Sequence, residues 1–422
     1  MLNVAVLGLG VGYALSCAIA ETGHNVVGID TNPEVVKNPR ADKSVDFLLG
    51  KTRERIGKNL KLTSAVEAIQ GSDLVVICVG TGDERTLILG HVEEAIRQCL
   101  RLLTKCGRSS TILVYSTLPY GSSKRIQELF VEEKVHLDEQ VHYCYMPLMI
   151  AQGTTANDFV NPPFIAFGAY SQEAGNVMRD FYLDFIKRSV LFNGKVPPNF
   201  VTTPEIAELA KLVANAFLST KISFANMISQ FCEANAIDGQ MLLRIVGSDW
   251  RIGSAMLKPG YSFGGACFPR DLESLILSFQ RARVDYPILD ATRGVNFQRV
   301  LDPVRIIETH KLGKRILVLG VAYKAGLKDT RGSASLSLVS ALRERGYQVT
   351  SFDPNIDTAS FDSVMSNTAD VAIVTTPEQI FKSVGRWCRV AKIQAILDYA
   401  NIVEDTVSET TRLYKAGLGW VN

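Results

Sequence analysis

The first thirty residues constrain the fold more than any other segment. Leu2–Leu7 is a short apolar run, NVAVL at its end, followed at once by Gly8-Leu9-Gly10-Val11-Gly12. A helix-length apolar stretch continues to Glu21, Gly23-His24 punctuates it, and a second apolar run, Asn25–Ile29, closes on Asp30. Apolar run, glycine turn, helix-length stretch, apolar run and acid is the pattern of a βαβ unit, with two parallel strands and a crossover helix. The same segment invites one competing reading, because residues 1–20 carry no charge. A signal peptide needs a basic n-region, and no Lys or Arg precedes this run. No other window approaches the ~18 apolar residues of a membrane span. A protein of the cytoplasm, not attached to a membrane, is expected.

Further buried strands are predicted at Asp73–Val79 and Thr111–Tyr115. Continuous apolar runs of this kind suit a parallel sheet covered on both faces. Late in the chain the opening layout returns: Arg315–Leu319, Gly320, a helix-like Ser335–Arg345, Gly346, Gln348–Phe352 and Asp353, then Val371–Thr375 and Ala395–Tyr399. Between the two halves, Glu205 to Asp238 holds no Gly or Pro over 34 residues. Ile206, Leu209, Leu212, Val213 and Phe217 recur there at helical spacing. A helix of that length would run about 50 Å and act as a spine between domains or subunits. The predicted class is therefore α/β, two Rossmann-like doubly wound parallel-sheet domains joined by a long central helix. Boundaries are placed at 1–198, 199–302 and 303–422.

Composition excludes several functions. Lys+Arg number 45 and Asp+Glu 43, a net charge of +2. No strong field is available to recruit nucleic acid or an anionic membrane, and no basic cluster is interleaved with aromatics. The eight cysteines (17, 78, 99, 106, 144, 232, 267 and 388) include no CxxC pair, so no metal site is expected. Sparse thiols suit a reducing compartment.

Three groups of residues carry candidate chemistry. In Gly8–Gly12 the glycines permit a tight turn and let backbone N–H groups approach a pyrophosphate at a helix N-terminus. Asp30, 22 residues after Gly8, suits a ribose 2′-hydroxyl and favours NAD over NADP. The spacing is irregular: the usual third glycine would fall at Tyr13, and Gly12 lies one residue early. A plain structural turn is the alternative. Second, Gly264-Gly265-Ala266-Cys267-Phe268-Pro269-Arg270-Asp271 places a thiol after two glycines, with a carboxylate one helical turn on. A thiolate beside basic groups is a nucleophile; the other seven cysteines read as packing residues. Third, Lys211 and Asn215 are four apart on the long helix, so an ammonium and an amide share a face and could hold an oxyanion or a water.

Together with Ser116-Thr117-Leu118-Pro119-Tyr120-Gly121, the stretch AELAKLVANAFLSTKISFANMI, Asp249-Trp250-Arg251-Ile252-Gly253 and VLGVAYKAGLKDTRGS (318–333), these segments resemble the nucleoside-diphosphate-sugar 6-dehydrogenases over essentially the whole chain. The resemblance implies a four-electron oxidation of a nucleotide sugar, first of all UDP-glucose, at C6 with NAD⁺. Cys267 would add to the aldehyde, and a thioester would be hydrolysed to the uronic acid. Lys211 would stabilise the oxyanion; Asn215 and Asp271 would orient water, with Asp271 available as base. Thr117 would lie beside nicotinamide and substrate. Gly8, Leu9, Gly10, Val11, Gly12, Asp30, Thr81 and Arg331 would contact the cofactor. Lys211, Asn215, Lys258, Gly264 and Lys324 would hold the nucleotide sugar, and Arg251 would reach the neighbouring subunit's site. The three segments become an NAD-binding domain, a central helical dimerisation domain and a UDP-sugar-binding domain, with a homodimer built on the central helix.

Departures cluster on the sugar side. Leu148, in Met146-Pro147-Leu148-Met149-Ile150-Ala151-Gln152-Gly153, stands where the family has a glutamate serving the hydrolytic water. Asn226-Met227 replaces Asn-Glu, Pro269-Arg270-Asp271 replaces Pro-Lys-Asp, and Ala400 removes an arginine. Three readings stay open: the complete dehydrogenase, a relative with another nucleotide sugar (such as a UDP-N-acetylhexosamine) or a reaction halted at aldehyde or thioester, and a catalytically weak nucleotide-sugar binder. The acid Asp158 is an alternative to the missing glutamate.

Overall fold

The computed structural model describes the chain except residues 40, 83–86, 107–108, 405–406 and 422. It divides into two compact units, Met1–Val213 and Ala214–Asn422.

The first unit is built on eight strands: β1 (Asn3–Leu7), β2 (Asn25–Ile29), β3 (Leu60–Thr63), β4 (Leu74–Ile77), β5 (Ser110–Val114), β6 (Val141–Tyr145), β7 (Ile165–Ala169) and β8 (Asn199–Thr202). Their order is β3-β2-β1-β4-β5-β6-β7-β8. The first six follow the doubly wound dinucleotide-fold order, which reverses between β1 and β4. All pairs are parallel except β6 with β7. Strand β1 shows why its sequence is apolar without alternation. Val4 and Val6 pack on one face with Leu15 and Ile19 of the helix Gly12–Glu21. Ala5 and Leu7 pack on the other with Val92, Ile96 and Leu100 of the helix Gly90–Leu103. With both faces covered, alternate residues enter two separate cores, and neither set can be polar.

The second unit holds a six-stranded sheet: β9 (Arg315–Leu319), β10 (Gln348–Phe352), β11 (Val371–Val374), β12 (Ala395–Asp398), β13 (Arg412–Lys415) and β14 (Gly419–Trp420). The order is β10-β9-β11-β12-β13-β14, with only the last pair antiparallel. Ile316 and Val318 enter the core formed with Val300, Val304 and Leu338, while Leu317 and Leu319 face Phe352, Phe361 and Phe381. This sheet also reverses direction next to its first strand, between β9 and β11. Both expected sheets are thus present, and the short strands β3, β6, β7, β8, β13 and β14 extend them.

The long helix runs Pro204–Ala234, 31 residues, about 46 Å at 1.5 Å per residue. It stops short of Asp238. Ala236 takes a left-handed φ of 54°, and Asp238 instead caps the next helix, Gly239–Gly247, accepting from Met241 N–H at 2.8 Å. The absence of Gly and Pro therefore overstates the helix by four residues. Its first turns belong to the first unit: a Cβ at Gly168 on β7 would stand 2.7 Å from Pro204 Cα and 2.8 Å from Ala207 Cβ. One stripe of the helix stays uncovered, with Ile206, Val213, Phe217, Phe224 and Phe231 between 48% and 65% exposed. Among the described residues, no helix is long and apolar enough to cross a membrane.

Candidate functional site

In the first unit the candidate residues gather at the C-terminal ends of the parallel strands, beside the reversal between β1 and β4. Gly8 follows β1 with φ +89°, and a Cβ there would meet the Cys78 carbonyl oxygen at 2.8 Å. Gly12 opens the helix, and a Cβ there would stand 2.9 Å from Val6 Cγ1, so glycine lets the helix pack close to β1. Around Gly10 no atom comes within 4 Å of the Cβ position, so the outer side of the turn is open. Val11 provides no side-chain cap for the first N–H groups of the helix. Tyr13 at the irregular position is half-buried.

Asp30 is engaged in the turn itself. Its Oδ2 accepts from Leu9 N–H at 2.8 Å and its Oδ1 from Asn32 N–H at 3.0 Å. A carboxylate offers about four acceptor sites, so about two remain for a ligand. The second unit repeats this device. Gly320 follows β9 with φ +94° and donates to Phe352 O at 2.8 Å, as Gly8 donates to Ile29 O at 2.8 Å. Asp353 accepts from Val321 and Ala322 N–H on one oxygen and from Asn355 N–H and Nδ2 on the other. Asp353 is fully buried and saturated, whereas Asp30 is half-buried with acceptor capacity left. Of the two copies, the first keeps acceptor capacity for a ligand hydroxyl.

Thr81 and Thr117 follow β4 and β5 and are both buried. The Thr81 carbonyl accepts from Ile88 N–H at 3.1 Å. Around Thr117 the chain is pinned at both ends. Ser116 Oγ donates to Val79 O at 2.7 Å. At the far end Glu208, from the long helix, accepts from Gly121 N–H at 2.7 Å and Ser123 N–H at 2.6 Å. Burial pushes the Glu208 carboxyl above its ordinary range, against the pull of those hydrogen bonds. Three residues on, Lys211 is 5% exposed and makes no hydrogen bond or ion pair among the described residues. A buried ammonium with no protein counter-ion calls for an anionic or strongly polar ligand.

In the second unit Cys267 is the N-cap of the helix Phe268–Ala282, with proline just inside the first turn. Of the seven described cysteines it alone is exposed. Cys17 and Cys99 are buried, which pushes their thiols up to about 11 and about 12 and makes them inert packing groups at neutral pH. One turn beyond Cys267, Asp271 is fully buried and accepts from Asn215 Nδ2 at 2.6 Å. Its other oxygen accepts from Arg270 Nε and Nη2, both at 3.2 Å. The arginine that stands in place of the family's lysine thus adds a second donor to the clamp on Asp271.

The glycine pair before the thiol is forced by backbone contact. A Cβ at Gly264 would lie 2.4 Å from Gly332 O, and one at Gly332 2.6 Å from Gly265 O. Gly265 donates to Gly332 O at 3.0 Å and lies under the Tyr323 ring. Burial pushes the Tyr323 hydroxyl up to about 12, and the nearby Cys267 adds to this. No sequence signal singled out Tyr323 or the clamps on the 258–263 loop. Asn226 takes Gly260 N–H and donates to Tyr261 O. Asn296 exchanges both bonds with Phe263, and the buried Arg299 donates to Gly260 O. Lys258 and Lys324 are exposed beside this framework. Arg331 and Arg251 are exposed and paired with Asp329 and Asp249, both at 2.6 Å. Leu148 and Ile150 pack on the hydrophobic core of the first unit. Asp158 Oδ2 accepts from Ala151 N–H at 2.8 Å and Thr154 Oγ1 at 2.7 Å, which ties it into its own loop.

Three segments match the UDP-glucose/GDP-mannose dehydrogenase family: its NAD binding domain over residues 2–186, its central domain over 205–298 and its UDP binding domain over 317–405. The chain is similar to the UDP-glucose 6-dehydrogenase of Haloferax volcanii, 28% identical over 95% of this chain and 97% of that one. It is also similar to the GDP-mannose 6-dehydrogenase of Pseudomonas putida, 27% identical over 85% and 82%. The solved UDP-D-ManNAc dehydrogenase of Pyrococcus horikoshii superposes with a TM-score of 0.86 at 25% identity, covering 99% of this chain and 100% of that one.

Proposed function

Because the chain belongs to the UDP-glucose/GDP-mannose dehydrogenase family, whose members are NAD-dependent oxidoreductases of nucleotide sugars, we propose that it oxidises the C6 alcohol of a UDP-sugar, UDP-glucose first, to the uronic acid through Cys267. One observation carries this reading: the exposed thiol stands one helical turn from a buried Asn215–Asp271 pair. A packing cysteine would need neither exposure nor that pair.

The Gly8 turn, the uncapped helix start and the free acceptor sites of Asp30 fit NAD. When bound, NAD⁺ supplies the hydride acceptor for both two-electron steps. The chain's own residues do the rest. The Cys267 thiolate adds to the C6 aldehyde, forming a C–S bond and an alkoxide that takes a proton. After the second oxidation the carbon is a thioester. Lys211, lacking a protein counter-ion, stabilises oxygen charge in both tetrahedral species. Asn215 and Asp271 orient the water that breaks the C–S bond, releasing carboxylate and thiol. Thr117 bounds the nicotinamide side, Thr81 and Arg331 add cofactor contacts, and Lys258, Gly264 and Lys324 hold the nucleotide.

The uncovered stripe Ile206–Phe231 supports a homodimer along the central helix, because a monomer would leave it in water. Segment 199–302 then serves as the dimerisation region, and exposed Arg251 would exchange its Asp249 partner to reach the neighbouring subunit's site. We place the enzyme in the cytoplasm. The test is a panel of UDP-glucose, UDP-N-acetylhexosamines and GDP-mannose scored for NADH per sugar consumed. Two NADH with UDP-glucose supports the reading, one stops it at the aldehyde, and none leaves a binding protein.

A further inference from the structure

The contact between Glu208 and the chain after Thr117 is more than a helix cap. The helix Ser122–Glu132 starts at Gly121, in the left-handed region at φ +88°, with no side-chain cap of its own. A local Ser, Asp or Asn would satisfy such an end at small cost. Here the two N–H groups are taken instead by a carboxylate 85 residues away, fully buried and balanced by no Lys or Arg among the described residues. Burying a carboxylate without a cation is expensive, and the two N–H hydrogen bonds together with the helix N-terminal field offset it. A local cap would stabilise the helix equally; what the distant carboxylate adds is a rigid tie between two elements.

Those elements carry the residues assigned above. Glu208 lies on the turn just before Lys211, and the tie reaches Gly121, four residues after Thr117. The long helix is fixed on its other side by the close approach of Pro204 and Ala207 to Gly168. Inside the loop, Ser122 Oγ donates to Pro119 O at 2.7 Å, and Ser116 holds the opposite end to Val79 O. Glu208 is therefore the link whose loss frees the loop from the helix. We propose that Glu208 is a positioning residue for the oxidation, setting the separation between the Thr117 loop and Lys211; the proposal rests on the roles given to those two residues under the proposed function.

A glutamine cannot replace the carboxylate here. It offers one acceptor oxygen, and its amide would point a donor at the second N–H. Misplacement by about 1 Å can cost on the order of 10²-fold in rate. In the full-length protein, Glu208→Gln is expected to lower kcat about 10- to 100-fold, with the Kd for NAD⁺ within about threefold of wild type by calorimetry. The primary deuterium isotope effect on kcat, measured with the 6,6-dideuterated form of the best sugar of the panel, should rise as hydride transfer becomes limiting. Backbone hydrogen exchange over 116–123 should rise at least about tenfold without ligands, while that of β1 and β4 stays unchanged. Glu208→Asp keeps the charge but is shorter by about 1.5 Å; it should fold and show an intermediate effect if the glutamine variant does not fold. Unchanged exchange over 116–123, or a kcat per folded molecule within about twofold of wild type, overturns the proposal. Failure of the wild type on every sugar would overturn the proposed function instead, and the exchange result would still decide whether the tie exists.

Discussion

Asp30 offers a test in which charge and scaffold roles can be separated. In the free protein Asp30 accepts from Leu9 and Asn32 N–H, and Leu9 is fully buried. Under the proposed function its remaining acceptor sites would face the ribose 2′-hydroxyl of NAD, and with NADP they would face a phosphate. One unit charge against another at about 4 Å is worth about 4 kcal/mol at an effective dielectric near 20. Asp30 is half-buried, and halving the figure for solvent screening leaves about 2 kcal/mol, or about 30-fold. Asp30→Asn keeps an oxygen for Leu9 N–H but removes the charge. It should cut NAD⁺-over-NADP⁺ discrimination in kcat/KM about 30-fold and leave stability within about 0.5 kcal/mol. Asp30→Ala should relax discrimination equally and also leave Leu9 N–H unsatisfied, costing about 1–3 kcal/mol of unfolding free energy. Initial rates with each cofactor, at low and high salt, measure the first effect, and urea unfolding the second. Comparable kcat/KM for NAD⁺ and NADP⁺ in the wild type, or an unchanged ratio in Asp30→Asn, would refute the reasoning.

Cys267→Ser should abolish uronate formation with the fold intact, since serine has no accessible anion near neutral pH; undiminished uronate by chromatography removes Cys267 from its role. Asp271→Asn leaves Arg270, 12% exposed in its side chain, without its counter-ion and turns a donor toward Asn215. Breaking such a buried pair costs about 3–5 kcal/mol, so its urea midpoint should fall clearly, and an unshifted midpoint would show that the clamp carries no energy. The double variant Phe217→Glu, Phe224→Glu charges the uncovered helix stripe and should sediment as a monomer, whereas the wild type should sediment as a dimer. With Leu148 in place of a base, thioester hydrolysis should slow about 10²–10⁴-fold. Intact-protein mass spectrometry should then show a Cys267 adduct in the wild type that is absent in Leu148→Glu; steady turnover without adduct places the hydrolytic base elsewhere.

The sequence exposed whatever depends on local period and on rare spacing. β1, β2, β4, β5, β9, β11 and β12 were legible because burial makes continuous apolar runs, and β10 (QVTSF) through its place in the returning layout. β6 (VHYCY) and β8 (NFVT) were not, because His142 and Asn199 break the apolar pattern. The end of the long helix was missed because Ala236 adopts a left-handed φ with no glycine to announce it. In the site, Cys267 and Asp271 were visible as a one-turn pair and Lys211 with Asn215 as another. The Asn215–Asp271 hydrogen bond joins residues 56 apart, and no local pattern encodes it. Glu208, Asn226, Asn296, Arg299 and Tyr323 were missed for the same reason: each acts on backbone far along the chain, and a single buried polar residue inside an apolar helix gives no periodic signal.

The two Gly–Asp pairs show why even a recognised motif needs its surroundings. Gly8 with Asp30 and Gly320 with Asp353 share the strand, the positive-φ glycine and the acid that takes N–H groups from the turn. In sequence they read as equivalents. The difference lies in the length of chain between the glycine and its helix. After Gly8 the helix begins four residues on, at Gly12, so the turn stays short and Asp30 has only one turn N–H to satisfy, from Leu9. After Gly320 the helix waits until Ala334, and the intervening chain folds over the strand end. Ser333 Oγ donates to Val321 O at 2.7 Å, and Gly332 is pressed against Gly265. That loop supplies Asp353 with its second turn N–H and buries it, so the position that could face a ribose is closed. The longer loop gains a different use: it carries Tyr323 and Gly332 to the Gly264–Cys267 segment. One layout thus keeps acceptor capacity on its acid where the turn is short and backs the Gly264–Gly265 segment where the turn is long, and loop length rather than the glycine motif decides which.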